Sequence, residues 1–282
     1  MERSKGVAMS LEGGRVQTDD PVLPPGAPQV VVVARGRGGQ ERKLLLKNPV
    51  TLIGSAETCK VRLCHPKVSA SHAAIIQTGR HVLLRDLGSR VGTSVNGRDA
   101  DLAFLHNDDE LVIASFHFRV RIAPDPGRGG DPALDGSNWA VIEHGRTGQR
   151  LEVRRPVVTF GRMPGNDVIL EGRSVSRAHA LIYRLQDAVL IHDLHSQNGT
   201  WLDGVRVPQG RLMDAAEFRI GSEPYRFFLS AGRAARTQAR VAAAAPPAQD
   251  AEDELPFDLA LLDEDSGPEA VAGPAVVEAP AP

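Results

Sequence analysis

Three stretches decide the fold: FGRMPGNDVIL (160–170), SVSRAH (174–179) and HDLHSQNGTWLDG (192–204). Each has a counterpart 107 residues upstream, in IGSAETCKVRL (53–63), KVSASH (67–72) and RDLGSRVGTSVNG (85–97). At that one offset Pro49 and Val50 fall on Pro156 and Val157, and Gly54 falls on Gly161. Val68, Ser69 and His72 fall on Val175, Ser176 and His179, and Asp86, Ser89, Gly92 and Thr93 on Asp193, Ser196, Gly199 and Thr200. No gap is needed from 49 to 121. A solenoid needs more copies than two, so the chain reads as a tandem pair of one domain.

Both copies are built of short apolar runs separated by Gly, Asn, Asp or Pro. VVVVA (30–34), VTLI (50–53), AAII (73–76) and HVLLRD (81–86) mark the first; VVTF (157–160), ALIYRL (180–185) and AVLIHD (188–193) mark the second. Several alternate, as Ala180, Ile182 and Arg184 do against Leu181, Tyr183 and Leu185. Many short strands with turn signals predict an all-β chain of two sandwiches. Composition sets the boundaries: a disordered polar segment 1–28, a first domain 29–122, a flexible linker 123–137, a second domain 138–230 and a disordered acidic Ala/Pro-rich tail 231–282. The first domain is expected to fold independently over about 29–122.

Of the 282 residues, 33 are Lys or Arg and 35 are Asp or Glu, a net charge of −2. The tail holds ten acids against three arginines, which leaves the remainder with 30 bases and 25 acids. Neither balance suits bulk-charge binding of nucleic acid, and with 2 Trp and 2 Tyr there is little to stack single strands on. No run of 18 apolar residues predicts a membrane span, and the first twenty residues contain no signal-peptide core. Two cysteines, Cys59 and Cys64, make no disulfide framework and, with His65 and His72, no zinc spacing. A cytoplasmic protein without metal or cofactor is expected.

The second copy resembles the forkhead-associated (FHA) domain, a reader of phosphothreonine peptides. Gly161-Arg162, Asn166-Asp167-Val168, Val175-Ser176-Arg177-x-His179, Asp193-Leu194, Ser196-x-Asn198-Gly199-Thr200 and Gly204 carry the resemblance. It implies a β-sandwich whose loops bind the peptide at one end. A phosphothreonine brings roughly −1.5 to −2 charges and three acceptor oxygens. Arg162 is the expected phosphate cation, since a guanidinium fork fits phosphate geometry. Ser176 is expected to donate its hydroxyl, with Arg177 adding a contact. Asn198, with both donor and acceptor on its amide, is expected to hold the peptide backbone. Ser174 and Gln197 are secondary candidates, while Gly161, His179 and Gly199 shape the site. His179 beside Ser176, Asp193 and Ser196 also invites a nucleophilic reading, but the resemblance gives His179 a structural task, and no GxxxxGK[ST] or HExxH segment occurs.

The first copy is degenerate. Ser55, Ala70 and Val91 stand where the second copy has Arg162, Arg177 and Asn198. Arg90 and Lys67 leave some positive charge, yet no phosphothreonine binding is expected there. The chain as a whole reads as a non-catalytic adaptor for phosphothreonine proteins made by a Ser/Thr kinase. The alternative is a structural assembly protein indifferent to phosphorylation. The apolar cluster in ELPFDLALLDED (254–265) is a candidate docking segment for a partner. Thr18 and Thr237, if phosphorylated, are candidates for self-binding.

Overall fold

The computed structural model describes residues 23–35, 40–79, 81–125, 138–230 and 275–278. Among them every regular element is a strand. The first copy contributes β1 (Gln29–Arg35), β2 (Glu41–Leu46), β3 (Val50–Gly54), β4 (Val61–Cys64), β5 (Ala73–Gln77), β6 (Val82–Asp86), β7 (Thr93–Val95), β8 (Arg98–Asp99), β9 (Leu102–Leu105), β10 (Glu110–Ile113) and β11 (Phe116–Ala123). The second contributes β12 (Ala140–His144), β13 (Arg150–Val153), β14 (Val157–Gly161), β15 (Val168–Ile169), β16 (Ala180–Leu185), β17 (Ala188–Asp193), β18 (Thr200–Leu202), β19 (Val205–Val207), β20 (Gln209–Leu212), β21 (Glu217–Ile220) and β22 (Glu223–Leu229).

The repeat in sequence is a repeat in topology. One sheet runs β2-β1-β11-β10-β7-β8 in the first copy and β13-β12-β22-β21-β18-β19 in the second. The facing sheet has the core order β4-β3-β5-β6-β9, matched by β15-β14-β16-β17-β20. The two sheets of each copy close over their own apolar core. Ile53, Ile75, Leu84, Leu111 and Phe118 fill the first, and Phe160, Ile182, Ile191, Phe218 and Phe227 the second. Turn chemistry repeats as well. Asn96-Gly97 and Asp203-Gly204 both have positive φ at each residue, the geometry of a two-residue hairpin that matches strand twist.

The opposite faces of β3, β5, β6, β14 and β16 do not meet water, and Leu190 of β17 is buried with them. Val50, Leu52, Ala74, Ile76 and Leu83 of the first copy form one buried cluster with Val157, Leu181, Tyr183, Leu185 and Leu190 of the second. Strands β3, β5, β6 and β14 are buried at every position. The two sandwiches therefore pack sheet against sheet. The hairpin turns touch at the edge of this interface, where Gln186 N–H donates to the Thr78 carbonyl at 3.4 Å.

The linker residues 126–137, the segment 1–22, the candidate docking segment 254–265, Thr18 and Thr237 lie outside the described residues. Within the stretch expected to be a disordered tail, Ala275–Glu278 instead forms β23, paired parallel with β4 from Ala275 opposite Val61 to Glu278 opposite Cys64. Val276 and Val277 supply β-branched residues, and Pro274 and Pro280 bound the segment. Among the described residues no helix is long and apolar enough to cross a membrane.

Candidate functional site

The loops after β14, before β16 and after β17 converge at one end of the second sandwich. Backbone bonds join the first two: Arg162 N–H donates to the Ser176 carbonyl at 2.9 Å, and Met163 N–H to the Arg177 carbonyl at 3.2 Å. Gly161 is required for this approach. A Cβ there would lie 2.1 Å from the Arg177 carbonyl oxygen. Asn166, buried, fastens the loop from below, its Nδ2 donating to the carbonyls of Met163 (2.8 Å) and Arg177 (2.9 Å). The third loop joins through Gln197 N–H, which donates to Ser176 Oγ at 3.1 Å.

His179 is fully buried beneath these loops and its tautomer follows from its partners. Ser176 N–H donates to Nδ1 at 3.0 Å, so Nε2 carries the proton and donates to the Gly199 carbonyl at 3.2 Å. Burial pushes its pKa below the ordinary 6.5, against the opposing pull of the Gly199 carbonyl and the Asp193 charge. Asp193 accepts from Ser196 N–H (2.8 Å), Ser196 Oγ (2.6 Å) and Thr200 Oγ1 (2.7 Å), and Ser196 Oγ accepts from Gly199 N–H (3.0 Å). The Ser176–His179–Asp193 set is thus not arranged as a nucleophile and base: the serine meets the imidazole through its backbone N–H, and His179 Nε2 points to a carbonyl.

Arg162, Arg177, Gln197 and Asn198 are exposed and Ser176 is partly so, all at the loop end. Among the described residues the guanidinium groups of Arg162 and Arg177 make no hydrogen bond or ion pair, so both are available. Asn198 Nδ2 already donates one hydrogen to the Ser174 carbonyl at 2.8 Å, which leaves Oδ1 open as an acceptor and one Nδ2 hydrogen as a donor. Ser174 is turned elsewhere, its hydroxyl 2.7 Å from Ser222 Oγ. One further cation was not singled out from sequence. Arg206 on β19 lies against the loop, and a Cβ on Gly199 (φ +78°) would stand 2.2 Å from Arg206 Nε. The signal for it is a charge reversal at the 107 offset, where Asp99 faces Arg206.

The first copy repeats this frame closely. Gly54 approaches the Ala70 carbonyl as Gly161 approaches that of Arg177, with a Cβ again only 2.1 Å away. Ser69 N–H donates to His72 Nδ1, and His72 Nε2 meets the Gly92 carbonyl, both at 3.1 Å. Asp86 holds Ser89 and Thr93 as Asp193 holds Ser196 and Thr200. What differs is the surface. Val91, 45% exposed, occupies the Asn198 position, and Ser55 and Ala70 those of the two arginines. Arg90 stays nearby, its N–H donating to Ser69 Oγ at 3.0 Å. Cys59 is buried, donating to the Ala70 carbonyl, with burial lifting its thiol pKa to about 11. Cys64 is exposed. Among the described residues no three His, Cys, Asp or Glu side chains are grouped to hold a metal ion.

Two stacked copies of a β-sandwich, each with three hydrogen-bonded loops gathered at one end, define a tandem all-β protein. The FHA domain profile matches residues 51–114 and again 158–221. The chain is 33% identical over 110 residues to the oxoglutarate dehydrogenase inhibitor of Corynebacterium efficiens, covering 38% of this chain and 75% of that protein. It is 31% identical over 87 residues to the transcriptional regulatory protein EmbR of Mycobacterium tuberculosis, 30% of this chain but 22% of EmbR. The chain thus spans under a quarter of the EmbR length. A solved structure of Mycobacterium tuberculosis EmbR with a low-affinity phosphopeptide matches with 29% identity and a TM-score of 0.33, over 34% of this chain and 26% of that one. The chain belongs to the FHA-domain family, with two FHA domains in tandem.

Proposed function

We propose that the second FHA domain reads phosphothreonine in partner proteins and that the chain is a non-catalytic adaptor in Ser/Thr kinase signalling. FHA domains bind phosphothreonine in such pathways, and the EmbR relative is solved with a phosphopeptide. The observation that carries the reading is the open guanidinium of Arg162, whose backbone N–H bonds the Ser176 carbonyl, on a loop fixed by Gly161, Asn166 and His179. Arg162 supplies the cation for the phosphate, Ser176 Oγ a neutral donor and Arg177 a second charge. Asn198 holds the peptide main chain through its open Oδ1, and Arg206 adds charge beside it. Ser174 acts through its tie to Asn198 and Ser222, and Gln197 N–H orients the Ser176 hydroxyl. The first domain keeps the frame without the cation, so it is assigned no phosphothreonine site.

An oriented library of phosphothreonine peptides, titrated against the whole chain beside unmodified and phosphoserine versions, tests the reading. Selective binding of phosphothreonine supports it. Equal binding of unmodified peptides instead favours the second reading, an assembly protein working through its paired sandwiches, for which the buried interface between them speaks.

A further inference from the structure

One guanidinium ties the two domains together, and it touches the loop that carries the reader cation. Arg85 lies on β6 of the first domain and is 1% exposed. Its Nη1 donates to the carboxylate and carbonyl of Asp101 in its own domain. Its Nη2 crosses the interface to the Gly165 carbonyl (2.8 Å), Thr159 Oγ1 (3.1 Å) and Asp167 Oδ2 (3.2 Å). The loop Met163–Asp167 begins directly after Arg162. Backbones meet there as well: a Cβ on Gly165 would stand 3.2 Å from Gly88 Cα, and one on Gly88 3.0 Å from the Pro164 carbonyl oxygen. The reader loop is therefore held on one side by its own Asn166 and on the other by the first domain.

The crevice with the domains' roles exchanged is filled differently. At the 107 offset His192 stands for Arg85, Lys60 for Asp167 and Leu52 for Thr159. There His192 and His195 face Glu57–Lys60 across a cleft of about 550 Å³. Among the described residues no guanidinium crosses to pin the loop of the degenerate domain, whereas Arg85 pins the loop of the domain that keeps Arg162.

We infer that the first domain is a buttress for the reader loop of the second, with Arg85 as its positioning residue; this rests on the phosphothreonine reading above. A guanidinium presents five donors in a fixed fork, suited to gripping a carbonyl, a hydroxyl and a carboxylate at once. A loop held before the peptide arrives loses less conformational freedom on binding, which strengthens affinity. The first domain, without a phosphate cation of its own, needs only its fold and Arg85 for this task.

The test uses the whole chain and the tightest phosphothreonine peptide from the library. Arg85→Met is expected to bind about tenfold more weakly while folded. Amide hydrogen exchange at Gly165–Asp167 should accelerate, and Arg85→Lys should recover part of both losses. A folded Arg85→Met chain with wild-type affinity overturns the inference, as does unchanged exchange in that loop. If Arg85→Met does not fold, Asp101→Ala loosens the same guanidinium from an exposed carboxylate; weaker binding supports the buttress and unchanged binding overturns it. A wild-type chain that ignores phosphorylation defeats the reader assignment instead. In that event exchange at Gly165–Asp167 in the Arg85 variants still decides the buttress.

Discussion

At the scale of single residues, the site separates into groups that hold the loops and groups that face solvent. Arg162 belongs to the second kind. Arg162→Ala should lower phosphopeptide affinity at least tenfold, the equivalent of losing a charge-assisted contact of about 1.5–3 kcal/mol. Its melting temperature should stay that of the wild type, because the side chain has no partner among the described residues. Calorimetric titration beside a thermal melt checks both halves, and undiminished affinity would place the phosphate elsewhere. His179 belongs to the first kind. Its neutral form is required, since a proton on Nδ1 would oppose the Ser176 N–H that now donates to it. His72 and His192 are likewise pushed below 6.5 by burial. With folded pKa values below the unfolded one, the unfolded chain binds more protons in the window beneath 6.5. Stability is thus fully present above about pH 6.5 and is lost as the pH falls toward the lowered folded values. Urea midpoints at pH 7.5, 6.5 and 5.5 should decline in that order; a midpoint that rises on acidification would contradict the neutral tautomers.

At the scale of elements, β16 shows what the sequence discloses and what it conceals. Ala180 and Ile182 pack into their own sandwich, while Leu181, Tyr183 and Leu185 pack into the other domain. Leu181→Ala should therefore cost about 3 kcal/mol in urea unfolding, the price of a buried leucine. A change within about 0.5 kcal/mol would mean that this face meets solvent. The turns were legible because their causes are local: Asp203-Gly204 and Asn96-Gly97 each demand positive φ at both positions. The reader loops were legible because Gly161, His179 and Asp193 sit at fixed spacings within one copy. The interface was not, although ALIYRL is apolar on both faces, the mark of a strand covered on both sides. Arg85 was concealed as well: a charge at the end of VLLR reads as solvated until a carboxylate from another domain is brought to it. The resemblance implies Ser174 and Asn198, but the bond from Asn198 Nδ2 to the Ser174 carbonyl depends on loops meeting in three dimensions.

At the scale of the whole molecule, the two FHA domains pack sheet against sheet, and the proposed buttress joins the copy with Ser55, Ala70 and Val91 to the copy with Arg162, Arg177 and Asn198. A shared apolar cluster and a buried crossing guanidinium couple their stabilities. Scanning calorimetry of the whole chain should show a single transition whose calorimetric and van't Hoff enthalpies agree. Two resolved transitions would show that the sandwiches melt as separate bodies. The division of labour between them is read most directly by an amide NMR titration of the whole chain with a phosphothreonine peptide. Shifts should gather at 161–163, 174–179 and 196–200, with residues 54–56, 67–72 and 89–93 of the first domain unmoved. Shifts gathered in the first-domain loops, or none in either set, would contradict the assignment of phosphothreonine recognition to the second domain.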